Sequence, residues 1–194
     1  MNRGRKLLRS TSILFALLAM AAQLRAQSQP VSGWAEFGKL GSRERDLVVA
    51  WLAKDCEASE KRRFLVEIAA LGPRLEAVLS EAFEQGPPPE YVAAGRRAAL
   101  AAFEARQAWL RAEGEQAMSA EEVKRQLELS PESYADRQLK NADQGWRERA
   151  LVALGALGSR KARAELERLA KDAESPYREA ARRGLEEAAR AKAE

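Results

Sequence analysis

Trp146-Arg147-Glu148-Arg149-Ala150-Leu151-Val152-Ala153-Leu154 is the stretch that decides the fold. Its outline returns 31 residues later. Tyr177-Arg178-Glu179 takes the place of Trp146-Arg147-Glu148, and Ala181 and Leu185 take the places of Ala150 and Leu154. A fixed period in this range signals a repeat architecture, in which each unit hides its apolar face by stacking on a neighbour. Within the phrase, the apolar residues recur every three or four positions, which is the period of a helix and not of a strand.

The same period extends upstream. Leu47, Val48, Trp51, Leu52 and Cys56 form one stripe, opened by Ser42 as an N-cap with Glu44 in the first turn. Ser59 is the next cap candidate, ahead of Phe64, Leu65, Ile68 and Leu71, and Gly72 stops that segment. Pro73 suits the first turn of a helix lined by Leu75, Val78, Leu79, Ala82 and Phe83. Gly86 and Pro87-Pro88-Pro89 end it in a stiff turn. A long Ala-rich helix follows over about 90–112, with Val92, Leu100, Phe103 and Leu110 expected to face inward. Gly114 breaks it, Ser119 with Glu122 reads as a capping box, and Ser130-Pro131-Glu132 opens another segment. Gly145 is expected to punctuate the chain once more, before helices over 146–157 and 160–172 and a last one from about 176. No stretch alternates with period two, so the fold class is all-α in pieces that suit antiparallel helix pairs.

The first 26 residues read differently. Arg3, Arg5, Lys6 and Arg9 make a basic start, and Ser12 to Ala22 is apolar. Leu24-Arg25-Ala26 offers a small residue for cleavage. This is the layout of a cleavable signal peptide, and its apolar run is shorter than the roughly 20 residues of a spanning helix. The expected location is therefore periplasmic or secreted, with no integral membrane span after cleavage near Ala26. Residues 27–41 form a lead segment, and 42–194 form one helical-repeat domain. Cleavage also changes the charge. The chain carries 33 basic and 29 acidic residues, and five of the basic ones lie before residue 27, leaving 28 against 29. A net charge of −1 removes the usual argument from a basic protein to nucleic acid.

The segment from Trp146 to Ala189 resembles a HEAT-like helical repeat of the short bacterial kind also found in phycobilisome lyase subunits. The residues that carry the likeness are Arg149 to Leu154 on the first helix, the Leu157-Gly158 turn, and Ala162, Leu166 and Leu169 on the second. A weaker echo spans 59–86, through Phe64-Leu65-Val66, Ile68, the Leu71-Gly72-Pro73 turn, Leu75, Leu79 and Phe83. The stretch 90–143 departs from the pattern, because it lacks the Leu-Gly turn and its first helix is too long. The resemblance implies a short right-handed α-solenoid with a curved surface suited to binding another protein. It carries no catalytic residue.

Chemistry-bearing residues are sparse. Histidine is absent and cysteine occurs once, at Cys56, so the commonest metal ligand and general base are missing and no intramolecular disulfide can form. Cys56 itself continues the Leu52 stripe and reads as core. No metal-ligand spacing and no phosphate-binding glycine loop is present, and no enzymatic activity, metal or cofactor is expected. Trp146 and Tyr177 share one repeat position and read as packing. Arg160, Lys161, Arg163 and Arg168 cluster on one helix with Glu165 and Glu167 interleaved, a pattern that is ordinarily a solvated face. On a solenoid the second helix of each unit meets the partner, which selects Arg163 and Glu167. Trp109, just off the apolar stripe of its helix, is the third partner-binding candidate, since aromatics anchor interfaces. The expectation is a non-enzymatic binding module or scaffold for another envelope or extracellular protein. The alternatives are a carrier of a lipid or small apolar ligand, which needs an enclosed cavity, and a structural subunit of an envelope assembly.

Overall fold

The computed structural model describes residues 34–53 and 58–191. The signal-like segment and Cys56 lie outside them. Among the described residues there are eight α-helices and no strand. They are α1 (Ser42–Ala53), α2 (Ala58–Leu71), α3 (Arg74–Gln85), α4 (Pro89–Glu113), α5 (Ala120–Leu127), α6 (Pro131–Leu157), α7 (Arg160–Lys171) and α8 (Arg178–Arg190). Short 3-10 turns occupy Phe37–Lys39 and Gly114–Gln116. No helix among them is long and apolar enough to cross a membrane.

The polypeptide divides into two compact units. One comprises, among the described residues, 89–141, with α4, α5 and the first part of α6. The other comprises, among the described residues, 34–88 and 142–191. The second is built in two segments of chain and holds most of the buried apolar side chains. Val48, Trp51 and Leu52 of α1, Phe64, Leu65 and Ile68 of α2, and Leu75, Val78, Leu79 and Ala82 of α3 are all buried there. Trp146, Ala150, Leu151 and Leu154 of α6 join them, with Ala162, Leu166 and Leu169 of α7 and Ala180, Ala181 and Ala188 of α8. Consecutive helices pack on one another, α1 on α2, α2 on α3 and α7 on α8.

Helix ends in this unit are closed by named groups. Gly72, Gly86 and Gly158 all take positive φ after α2, α3 and α6, where only glycine is unstrained. At Gly86 the need is double. A Cβ there would strike the Asp143 carboxylate and come within 2.7 Å of the Arg147 guanidinium. Arg147 uses that space to donate to the carbonyls of Phe83 at 2.6 Å and Glu84 at 2.8 Å, orphan acceptors at the end of α3. Its Nε is held by Asp143 at 3.0 Å. Arg149 does the same for α1, donating from Nε to the Leu52 carbonyl at 2.7 Å, while Trp51 Nε1 donates back to the Arg149 carbonyl at 2.9 Å. At the start of the unit the Glu81 carboxylate accepts the backbone N–H groups of Ala35, Glu36 and Phe37. Trp34 and Phe37 are buried, and Trp34 meets Trp146 edge-on at 5.6 Å.

The closest approach of two backbones is a glycine pair. A Cβ on Gly155 of α6 would fall on the Gly184 carbonyl of α8. A Cβ on Gly184 would lie 2.8 Å from the Leu151 carbonyl and 3.0 Å from a Leu166 methyl. Three helices thus meet at positions that admit no side chain.

The 89–141 unit buries less. Ala99, Gln107 and Leu110 of α4, Val123 of α5 and Ala135 of α6 are its buried side chains, with Gly114 at the turn between α4 and α5. Phe103 and Tyr134 are half-buried with ring centres 5.6 Å apart. Val92 and Leu100, expected inward, are both 37% exposed. The inward face is set instead by Ala99, Phe103, Gln107 and Leu110, a register in which a glutamine takes a core position. Gln107 Nε2 donates to the Gln126 carbonyl at 3.2 Å, and its Oε1 has no hydrogen-bond partner among the described residues.

Three further differences concern helix limits. Gly145 lies inside α6, which runs unbroken for 27 residues. A mid-helix glycine costs about 1 kcal/mol, and burial of Trp146, Ala150, Leu151 and Leu154 outweighs that. Gly145 also lets the Arg149 guanidinium lie back along its own helix, 3.1 Å from where a Cβ would stand. Ser42 is the first residue of α1 and not its cap, and the Gly41 N–H is taken by Glu44 at 3.1 Å. Ser59 falls within α2, which begins at Ala58.

Candidate functional site

α7 is the helix on which the sequence places Arg163 and Glu167. Its start follows from Gly158 and Ser159. Gly158 reverses the chain at φ 64°, and the Ser159 hydroxyl accepts the Ala162 N–H at 3.0 Å as an N-cap. Ala162, Leu166 and Leu169 then recur at helical spacing and are buried, and α7 packs on α8. That fixes which face looks outward. Arg160, Lys161, Arg163, Ala164, Arg168 and Lys171 are exposed.

The charges on this face are partly spent on one another. Arg163 Nε donates to Glu167 at 3.0 Å, so the two residues selected from the sequence are brought together as a pair. Arg168 grips Glu165 with two hydrogen bonds, at 3.0 and 2.6 Å. The hydrogen bond from Arg168 holds the Glu165 carboxyl below the usual carboxylate range, and the same bond raises the Arg168 guanidinium. Arg160, Lys161 and Lys171 make no ion pair among the described residues. α7 is also the one described α-helix with no acidic residue in its first turn, where the positive end of the dipole favours one.

Trp109 belongs to the 89–141 unit. It is half-buried on α4, and the Arg106 guanidinium lies over its ring at 4.6 Å. Part of its exposed π-face is therefore already used by a cation from its own helix. In the same unit, Leu110, Val123 and Leu127 floor a cleft of about 450 Å³ rimmed by Arg111, Glu113 and Glu115. The cleft is open to solvent, so it is not the enclosed cavity that a carrier needs. Among the described residues no group of three or more Cys, Asp or Glu converges as metal ligands.

Trp146 and Tyr177, expected to serve packing, both meet aromatic neighbours. Trp146 is buried beside Trp34, and Tyr177 meets Phe83 edge-on at 5.2 Å. Burial pushes the Tyr177 hydroxyl above its ordinary value. Sequence reasoning missed the capping arginines, Arg147 and Arg149. The signal was available in the phrase itself, where two arginines sit either side of Glu148, within three residues of the buried Trp146. It was not decisive, because i,i+4 carboxylates such as Asp143 explain a helical arginine equally well before the neighbouring helix ends are known.

Compared with protein-family models, curated proteins and solved structures, the chain matches none.

Proposed function

We propose that this protein is an exported, non-enzymatic binding module that holds another envelope or extracellular protein against a short solenoid of HEAT-like helix pairs. The observation that carries the reading is the outward face of α7. Its apolar side is fully committed to the fold, while the opposite side offers a continuous row of exposed charge. A rigid helix with one face anchored presents side chains at little entropic cost, which is what a docking surface needs. The repeated phrase at 146 and 177, the glycine turns and the packing of consecutive helices support a solenoid, with α7 as the second helix of its clearest unit. The signal-like residues 1–26 support export.

The test is affinity capture from an envelope extract, with the full chain as exported by the expressing cell as bait. One dominant protein partner is expected. The double change Arg163→Ala, Glu167→Ala, which strips two side chains from the middle of that face without altering its net charge, should weaken the hold while leaving the thermal midpoint where it was. Parallel losses of binding and stability would overturn the reading, and so would a co-purifying small molecule with no protein. Edman sequencing of the exported chain should begin at Gln27.

A further inference from the structure

We infer that the partner surface meeting α7 is an acidic, extended stretch of polypeptide that docks on Arg160, Lys161 and Lys171. This rests on the binding-module reading and specifies the partner's chemistry.

The argument starts from the charge left over on the helix. α7 carries five cations and two carboxylates. Both carboxylates are neutralised within the helix, Glu167 by Arg163 and Glu165 by Arg168. Three full positive charges remain without a carboxylate among the described residues, and all three are exposed. They are not a sample of a generally basic protein. After residue 26 the chain carries 28 basic and 29 acidic residues, so the excess on α7 is local. A local excess on a near-neutral body orients an oppositely charged partner toward one face, which is how complementarity sets register.

The geometry limits what fits. From Arg160 to Lys171 the helix rises about 16 Å. An extended chain covers that distance in about five residues. An acidic run of that length can reach all three cations, whereas a single carboxylate or phosphate cannot. An anionic membrane is the competing surface. Interfacial helices insert an apolar face beside their cations, but on α7 that face, Ala162, Leu166 and Leu169, is buried in the protein. None of the exposed large apolar side chains, Val66, Val92 and Leu100, lies on this helix. The face has only charge to offer, and a flexible acidic chain can wrap to meet it.

The experiment uses fluorescein-labelled decaglutamate and fluorescence anisotropy at low salt, with the full chain as exported by the expressing cell. Binding is expected, weakening as salt screens it. The triple change Arg160→Glu, Lys161→Glu, Lys171→Glu should weaken it at least tenfold. A control triple with the same charge change elsewhere, Arg97→Glu, Arg111→Glu, Lys140→Glu, should leave it within twofold. All six positions are exposed, and circular dichroism of both variants should match the parent. No binding, or equal loss in the two triples, overturns the inference. It is also overturned if the α7 triple abolishes binding to phosphatidylglycerol vesicles while decaglutamate never binds. A captured protein partner that the α7 triple still retains would overturn this inference alone and leave the binding-module reading standing.

Discussion

At the scale of single residues, the structure depends most sharply on an absent side chain. Replacing a helical glycine with alanine ordinarily stabilises a helix by about 1 kcal/mol. At Gly155 the sign should reverse, because the new methyl meets the Gly184 backbone and not a movable side chain. Neither α6 nor α8 can yield locally, since Leu151, Leu154, Ala180 and Ala181 are buried on either side. Overpacking in a closed core costs about 1–3 kcal/mol and more where backbone is struck. Gly155→Ala should therefore lower stability by roughly 3 kcal/mol, read as a fall in the denaturation midpoint with urea. An unchanged or raised midpoint would show that the two helices do not touch there. Nothing in the sequence marked this pair. Gly155 and Gly184 lie inside well-formed helical patterns, and a glycine that permits close approach looks the same, in one sequence, as one that merely weakens a helix.

Among the helices, what could be read beforehand is what local chemistry decides. Ser119 accepts the Glu122 N–H at 3.2 Å and Ser130 the Ser133 N–H at 3.1 Å, as their positions before acidic first turns indicate. Gly72, Gly86 and Gly158 end the helices they were expected to end. The errors fall where tertiary packing competes with local preference. Burial of the Trp146 to Leu154 stripe carries α6 through Gly145, and the inward face of α4 falls on Ala99, Phe103, Gln107 and Leu110, with Val92 and Leu100 left exposed. The outward face of α7 was legible as a cluster of charge, but which charges cancel was not, since the pairing of Arg163 with Glu167 and of Arg168 with Glu165 depends on rotamers. The α7 cap offers a test at this scale. Ser159→Ala removes the acceptor for Ala162 and should cost about 1 kcal/mol. Ser159→Asp keeps an acceptor and adds the negative charge that the first turn of α7 lacks, a gain of about 0.3–1 kcal/mol at low salt. The expected order of melting midpoints is Asp above Ser above Ala, with the Asp advantage shrinking as salt rises. An aspartate no better than alanine would mean that the start of α7 is frayed and not capped.

For the whole molecule, the question is whether stability is shared evenly between the two units, and the burial pattern argues that it is not. The unit of residues 34–88 and 142–191 closes its core with aromatic contacts, a glycine crossing, and arginines that satisfy the ends of α1 and α3. The 89–141 unit buries two alanines, a leucine, a valine and a glutamine. Burial of a large aliphatic side chain contributes about 1.5–3 kcal/mol, and the 89–141 unit has only two such residues fully inside. Gln107 weighs on this small core, because a buried polar atom without a partner costs about 1–3 kcal/mol, a cost that the other unit carries at Arg178 Nε with far more apolar burial behind it. Local openings draw on the free energy of the region that opens. Amides of α4 and α5 should therefore exchange with solvent through openings at least tenfold more frequent than those of α1, α3 and α8, measured by hydrogen exchange with mass spectrometry under native conditions. Gln107→Leu sharpens the argument. It removes the orphaned oxygen and adds apolar volume at the centre of the weaker unit, gains that outweigh the lost hydrogen bond to the Gln126 carbonyl, so it should slow exchange in α4 and α5 while leaving α8 unchanged. Uniform protection across all the helices would mean that the two units open as one, and that the thin core of 89–141 does not set its stability.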